Sequence, residues 1–521
     1  MEPQAKHQRW QALYYRSIAN QVDQLIALIR LKKRDPDSLA RHFDSIVIVI
    51  EEAAAHPDLE TRTNLIKLLQ SLHPLPLWWG KWTEWMRILG NILQIAKENR
   101  DVDALFWLYL TQSEILITGG DKKKALVLAE SALKLAHETQ AFEMIFKAEM
   151  AVFEAKKDLG YIGDRTEALH ELDSSLQQVK KNLSLQKTHI LELEFLLKKT
   201  DVLRRLGKRK KALQTIQQAH TLADECLAKD DLLRADIYNR SGAAYWTAEE
   251  PQKAIAEFEK ATDIFEKWGD QASKVFSLGY IGLVWWSCGE YPKAEAILQS
   301  SIGMAEQIKA LQWQAIQTGN LGLVQLMQGN LEHAFALIKQ HYDLSELINN
   351  RAEIERANAN LGYVQVFRGN FEDAHERFLR YLAFTKKMNF PIGSGVASAH
   401  MAWVKDALGE EQAANAYAED AFRFAKIAEA PLLEIVALRS MSELKRDANE
   451  RMAYAQKALI LAQKHGRRFN KAGALFTLAH ASANQKTEDD AKMLLKELKA
   501  EKWLRLLQAF PSLRLPLLYW G

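Results

Sequence analysis

Residues able to do covalent or metal chemistry are present in this sequence, but their spacing does not assemble them. Fourteen histidines occur, each set apart from the others. His137-Glu138 opens like a zinc-protease helix, which needs a second histidine one turn later, and none is there. Ser394 stands between Gly393 and Gly395 without the strand-turn-helix setting of a nucleophile elbow, and reads as a helix-packing or bend site. The pairs Glu51-Glu52, Glu249-Glu250, Glu410-Glu411 and Asp489-Asp490 fall at helix starts or on solvated faces, where negative charge complements the helix dipole. No Gly-x-x-x-x-Gly-Lys-Ser/Thr loop offers a phosphate cradle. Neither catalysis, a cofactor nor a metal site is expected.

What remains is chemistry of recognition, and the elements that would position it are helices. The 521 residues include only 11 prolines, and Ala, Leu, Glu, Lys and Gln dominate the periodic stretches. With 69 basic and 66 acidic residues the net charge is +3, which gives no general pull toward nucleic acid or anionic lipid. Cys226 and Cys288 lie far apart without ligand spacing, as expected of a reducing cytoplasm. The opening residues lack the apolar core of a signal peptide, and the longest uncharged apolar run, 276–289, is too short to cross a bilayer.

The strongest pattern is a spacing of 40 residues. Gly242, Gly282, Gly322 and Gly362 form one ladder, continued by Ala402. Gly289, Gly329, Gly369 and Gly409 form a second, and Ala254, Ala294, Ala334, Ala374 and Ala414 a third. The first falls mid-helix, where glycine costs helix stability unless a neighbour must come close. The second suits the left-handed residue that ends a helix. Asn330 and Asn370 follow it and are expected to cap the next helix. The alanines mark where that helix crosses the first, with Phe258 and Phe378 one turn on along the same face. A period of this length signals a solenoid.

The unit Asn360-Leu361-Gly362 … Gly369-Asn370-Phe371 … Ala374 … Phe378 resembles the tetratricopeptide repeat, with about six residues more than that family's roughly 34. Long units of this kind are similar to the sensor arms of bacterial signal-transduction ATPases related to the maltose-regulon activator, here without the ATPase module. The resemblance implies an all-α, right-handed superhelical solenoid of antiparallel helix pairs. About ten pairs are expected over 99–500, with an irregular helical cap at 1–98 and an apolar C-terminal cap at 501–521.

The resemblance also implies that the first helix of each pair lines a concave face. Carried over through the glycine ladder, its inward positions include Trp246, Phe276, Leu283, Trp286, Ile316, Leu323, Met327, Arg356, Tyr363, Phe367 and Trp403. Gly279, Gly319, Ala359 and Ala399 on the same stripe would let a peptide backbone approach. So apolar a stripe either forms a groove for an apolar peptide or partner helix, or packs as core between long helices. Arg204, Arg205, Lys208, Arg209, Lys210 and Lys211, with Lys198 and Lys199 before them, form a basic run that would meet an anionic partner or simply complement helix ends. Trp78, Trp79, Trp82 and Trp85 either make a hot spot or weld the N-terminal helices to the first repeat. The function expected is a non-enzymatic protein- or peptide-binding scaffold. The alternatives are a sensor subunit acting on a separately encoded ATPase or effector, and a nucleic-acid accessory protein using 198–211. Neither nucleic acid nor membrane is the expected partner.

Overall fold

The computed structural model describes residues 2–32, 39, 41–73, 75–78, 81–119, 121–159, 165–229, 231–348, 350–388 and 390–509. Trp79 and the tail from 510 onward lie outside them. Among the described residues every regular element is a helix. Five come first: α1 (Glu2–Lys32), α2 (Phe43–Ala54), α3 (Leu59–Leu72), α4 (Leu75–Trp78) and α5 (Trp82–Asn99). Then follow α6 (Val102–Gly119), α7 (Lys122–Thr139), α8 (Phe142–Leu159), α9 (Arg165–Asn182), α10 (Leu185–Arg205), α11 (Arg209–Cys226), α12 (Leu232–Thr247) and α13 (Pro251–Trp268). The 40-residue units continue through α14 (Gln271–Ser287), α15 (Tyr291–Gln307), α16 (Leu311–Met327), α17 (Leu331–Leu347), α18 (Arg351–Phe367), α19 (Phe371–Lys387), α20 (Pro391–Ala407) and α21 (Glu411–Ile427). Last are α22 (Pro431–Leu444), α23 (Ala448–Lys464), α24 (Arg468–Ser482), α25 (Gln485–Glu497) and α26 (Lys502–Ala509). From α6 to α25 each helix packs chiefly on its sequence neighbours, which makes ten consecutive antiparallel pairs and an all-α solenoid.

Each ladder has its physical cause in the packing. A Cβ added at Gly242, Gly282 or Gly322 would lie 2.7–2.8 Å from Phe258, Leu298 or Ile338, each one turn beyond a fully buried ladder alanine. The helices therefore cross closely at these three positions, where even a methyl group would force the facing side chain to shift. Gly289, Gly329, Gly369 and Gly409 have φ between 78° and 81°, the left-handed conformation that turns the chain into the second helix. Asn330 and Asn370 do not cap as expected. Their side-chain amides donate back to Gln325 (2.6 Å) and Gln365 (3.2 Å) at the end of the preceding helix.

The two helices of a pair sit in different surroundings. In α17 the buried residues are Ala334, Ile338, His341 and Ser345, one face at helical spacing. In α16 every residue from Gln317 to Met327 is buried, because this inner helix has protein on all sides. At the N-terminus, Trp85 is fully buried and Trp82 partly so, in a core shared by α1–α5 with Ala104, Leu108 and Ile115 of α6. These two tryptophans weld the irregular helices to the first pair.

Candidate functional site

The array curls until its last repeats meet earlier ones, so the inner stripe is not one open groove. The turns that end α10, α12, α14 and α16 form one side of a seam. The other side is made by the turn after α21, the α23–α24 turn, α25 and α26. A Cβ on Gly207 would be 1.9 Å from the Ala428 carbonyl oxygen, and one on Gly289 2.5 Å from Leu498. The Glu249 carboxylate receives Arg209 Nη1 at 3.0 Å and hydrogen-bonds His465. Arg467 Nη1 donates to the Ser287 carbonyl at 3.3 Å. Trp503 of α26 is fully buried; its Nε1 donates to the carbonyls of Leu326 (3.2 Å) and Met327 (2.9 Å), and its ring meets Phe367 edge-on at 4.9 Å. Those carbonyls belong to the last turn of α16; the Leu326 carbonyl also accepts from the Gly329 N–H at 2.9 Å, and Trp503 adds a cap to this helix end from 176 residues away.

This closure divides the inward residues expected from sequence. Trp286, Leu323, Met327, Tyr363 and Trp403 are buried in the main hydrophobic core together with Leu498 and Trp503, and Phe367 packs against it. All of them but the half-buried Phe367 are buried. Trp246, Phe276, Leu283, Ile316 and Arg356 instead line a chamber of about 460 Å³ inside the curl. Gly279 and Gly319 do not receive a peptide backbone: a Cβ there would meet the Gln317 amide at 2.0 Å and the His341 ring at 2.4 Å, so side chains of the protein fill those spaces.

The chamber is built from three sources. Inner helices supply an aromatic wall: Phe276 lies edge-on to Trp313 (5.0 Å) and Tyr280 (4.8 Å), and Trp246 Nε1 is anchored to Ser287 Oγ at 3.1 Å. The outer helix α19 and the turn after it contribute Tyr381, Phe384, Met388 and Phe390. The seam contributes Arg204, Arg205, Gly207, Arg209, Glu249 and Arg467. Part of the basic run thus meets the aromatic stripe in a single cavity, a juxtaposition with no signal in local sequence. Lys208, Lys210 and Lys211 are exposed and lie outside that lining. Lys198 pairs with Glu154 at 3.3 Å, and Arg204 lies 3.8 Å from Asp201, which also binds Arg240 at 3.0 Å. The run is in good part an internally paired segment.

Electrostatics on the chamber floor are tightly organised. Arg356 donates from Nε to Glu353 (2.7 Å) and from Nη1 to Asn320 (2.9 Å), and His341 Nε2 hydrogen-bonds the same carboxylate at 3.0 Å. Burial alone would push Glu353 upward, but Arg356 and His341 together hold its carboxyl at about 2. Tyr381 is pushed up to about 12 by burial, so its hydroxyl stays protonated. Farther toward the N-terminus the partly buried Glu194 and Asp236 have carboxyls raised by burial.

A second cavity, about 530 Å³, lies at the C-terminal end between α22 and α26. Its lining includes Arg439, Arg451, Lys492, Lys496, Glu443 and Glu488; Lys492 pairs with Glu488 at 2.6 Å and the Thr477 hydroxyl donates to Glu443 at 3.0 Å. Among the described residues no group of three or more His, Cys, Asp or Glu could hold a metal ion, and no helix is long and apolar enough to cross a membrane. Cys226 and Cys288 are free.

A tetratricopeptide-repeat family model matches residues 196–267, which span α11, α12 and most of α13. No protein of curated function matches the sequence. Among solved structures, a Rap protein complexed with competence and sporulation factor is 11% identical, with 77% of this chain and 98% of that one covered and a TM-score of 0.48. A signal-transduction ATPase with a tetratricopeptide-repeat sensor from Pyrococcus horikoshii is 13% identical over 66% of this chain and 52% of its own, with a TM-score of 0.38. The Rap conjugation gene regulator of plasmid pLS20, in complex with the Phr* peptide, is 14% identical over 61% and 97%, at 0.44. Ten stacked helix pairs that cross at glycine and alanine ladders, with the tetratricopeptide-repeat model matching residues 196–267 among them, form an all-α solenoid of tetratricopeptide-like architecture.

Proposed function

We propose that the protein is a non-enzymatic recognition scaffold of the cytoplasm that holds a peptide, or an exposed segment of a protein partner, in the chamber inside its curl. Residues 1–98 and 501–521 serve as caps on the repeat array. The observation that carries the reading is the chamber's lining: apolar aromatic side chains on one wall, and charged and amide groups on the others. About 460 Å³ falls in the size range of ligand pockets, roughly 300–1,000 Å³, and that mixture of surfaces suits an amphipathic ligand.

The test is selection of binders from a phage-displayed random heptapeptide library on the whole chain. Synthetic versions are then titrated against wild type, Phe276→Ala and Ile316→Ala. Truncating a wall residue of this kind weakens binding about tenfold or more while the helical circular-dichroism signal is retained. Selected peptides that bind both variants as tightly as wild type would place the site elsewhere. A second reading, a sensor acting on a separate effector, is favoured by the seam, since it joins repeats distant in sequence and gives ligand occupancy a global conformational readout.

A further inference from the structure

We propose that the cavity at the C-terminal end is a second ligand site, and that its ligand is a small phosphate monoester with an apolar body. This cavity lies between α22 and α26 and shares no lining residue with the chamber inside the curl. At about 530 Å³ it falls in the size range of small-molecule pockets, roughly 300–1,000 Å³. Its wall is buried at one end and open at the other. Arg439 is 1% exposed, and Ser442, Phe476 and Thr477 are buried as well, whereas His480, Lys496 and Gln508 are exposed. Gly473 makes room for the buried guanidinium. A Cβ there would lie 2.4 Å from Arg439 Cζ, so the cation occupies the space that a side chain on α24 would fill.

The charges of the lining do not balance. Four cations, Arg439, Arg451, Lys492 and Lys496, accompany two carboxylates, Glu443 and Glu488. Lys492 and Glu488 pair at 2.6 Å, which leaves three cations with one carboxylate and an excess of two positive charges. Arg451 is fixed through its backbone, whose carbonyl accepts from the Ser442 hydroxyl at 2.7 Å. Its Nε is buried and makes no hydrogen bond among the described residues. Such a group is costly unless an acceptor reaches it, and an anion in this cavity is that acceptor. A phosphate monoester carries about two negative charges at neutral pH and three strong acceptor oxygens. It offsets the whole excess, where a carboxylate offsets half. The planar fork of Arg451 gives it direction, and Lys496 at the mouth adds a point charge. Phe476, Leu504 and Leu507 give the same cavity an apolar surface for the ligand's body. The two leucines belong to α26, the helix whose Trp503 caps α16, so the ligand also braces the helix that closes the curl.

Phenyl phosphate is the probe, titrated by calorimetry into the whole chain, with inorganic phosphate and benzoate beside it. Wild type is expected to bind phenyl phosphate about tenfold or more tighter than either, since only this probe has both the dianion and the ring. Arg451→Gln weakens its binding about tenfold or more, and Arg451→Lys recovers part of the loss. Phe476→Leu weakens phenyl phosphate and leaves inorganic phosphate unchanged. Hydrogen exchange slows at 439–443, 473–481 and 503–508 on adding the probe, and stays unchanged at 276–283 in the chamber. Benzoate binding as tightly as phenyl phosphate, Arg451→Gln binding as tightly as wild type, or no heat at millimolar probe would each overturn the proposal. Slower exchange confined to 276–283 would do the same. If Arg451→Gln fails to fold, Lys496→Gln on the exposed rim decides: a loss of about threefold or more supports the site, and unchanged affinity removes it.

Discussion

Replacing Trp503 by alanine removes the side chain that closes the curl, and its cost follows from the structure. The indole is fully buried against Phe367 in the main core, so truncation removes its transfer free energy and leaves a cavity, together about 3–5 kcal/mol. It also leaves the Leu326 and Met327 carbonyls without the indole donor at the end of α16. Trp503→Phe keeps most of the volume and loses only that donor, for about 1–2 kcal/mol. Because a repeat array unfolds in sections, the loss concentrates in α16, α18, α25 and α26 and does not spread evenly. Urea denaturation followed by circular dichroism gives the magnitude, and hydrogen exchange gives the location, with faster exchange expected at 322–330 and 363–367. A Trp503→Ala protein within about 0.5 kcal/mol of wild type, or one whose exchange accelerates only within 500–509, would refute the view that this tryptophan fastens the ends together.

Gly207→Ala and Gly369→Ala separate backbone strain from seam contact. Both glycines have φ near 78°, so each substitution costs about 1–2 kcal/mol for the left-handed conformation. Only at Gly207 would the new methyl strike a backbone carbonyl, that of Ala428, whereas nothing lies within 4 Å at Gly369. Gly207→Ala is therefore expected to lower the unfolding midpoint further and to speed exchange around 428, and equal midpoints would contradict the seam. A third expectation concerns acid. His400, enclosed by Tyr363 and Phe378 and bonded through Nδ1 to the Val396 carbonyl at 2.8 Å, is held down at about 4 by burial. Below pH 6.5 the unfolded chain takes a proton that the folded ring refuses, so stability falls as pH drops from 6.5 to about 4 and then levels. At 1.36 kcal/mol per pH unit this amounts to roughly 3 kcal/mol. Stability of His400→Gln, measured by urea titration across that range, should lose correspondingly less, and parallel curves would show that the ring is not the titrating group.

The helix pairs, their phase and the residues at each crossing were legible in the amino-acid sequence because the contacts that create them are local. Gly322 meets Ile338 sixteen positions later, and the same pairing recurs every 40 residues, so three ladders register one geometry. Helices buried on every side, such as α16, left a signal as well, since they carry few charged residues. Whether the inward stripe is cavity or core was not legible, because the answer depends on what lies opposite. Trp246 and Trp286 are equivalent positions one repeat apart. Both are buried, but Trp246 packs with Phe258 and Ile281 at the edge of the chamber, whereas Trp286 lies in the main core with Trp503 of α26. Curvature is the sum of small rotations at every pair, and no local sequence feature states how far a solenoid turns before its ends meet. The sequence alone therefore determined a tetratricopeptide-like array and its inner face. The tertiary closure brought His465 to Glu249, set Trp503 on the end of α16, and divided a stripe that sequence left open between groove and core into chamber lining and packed interior.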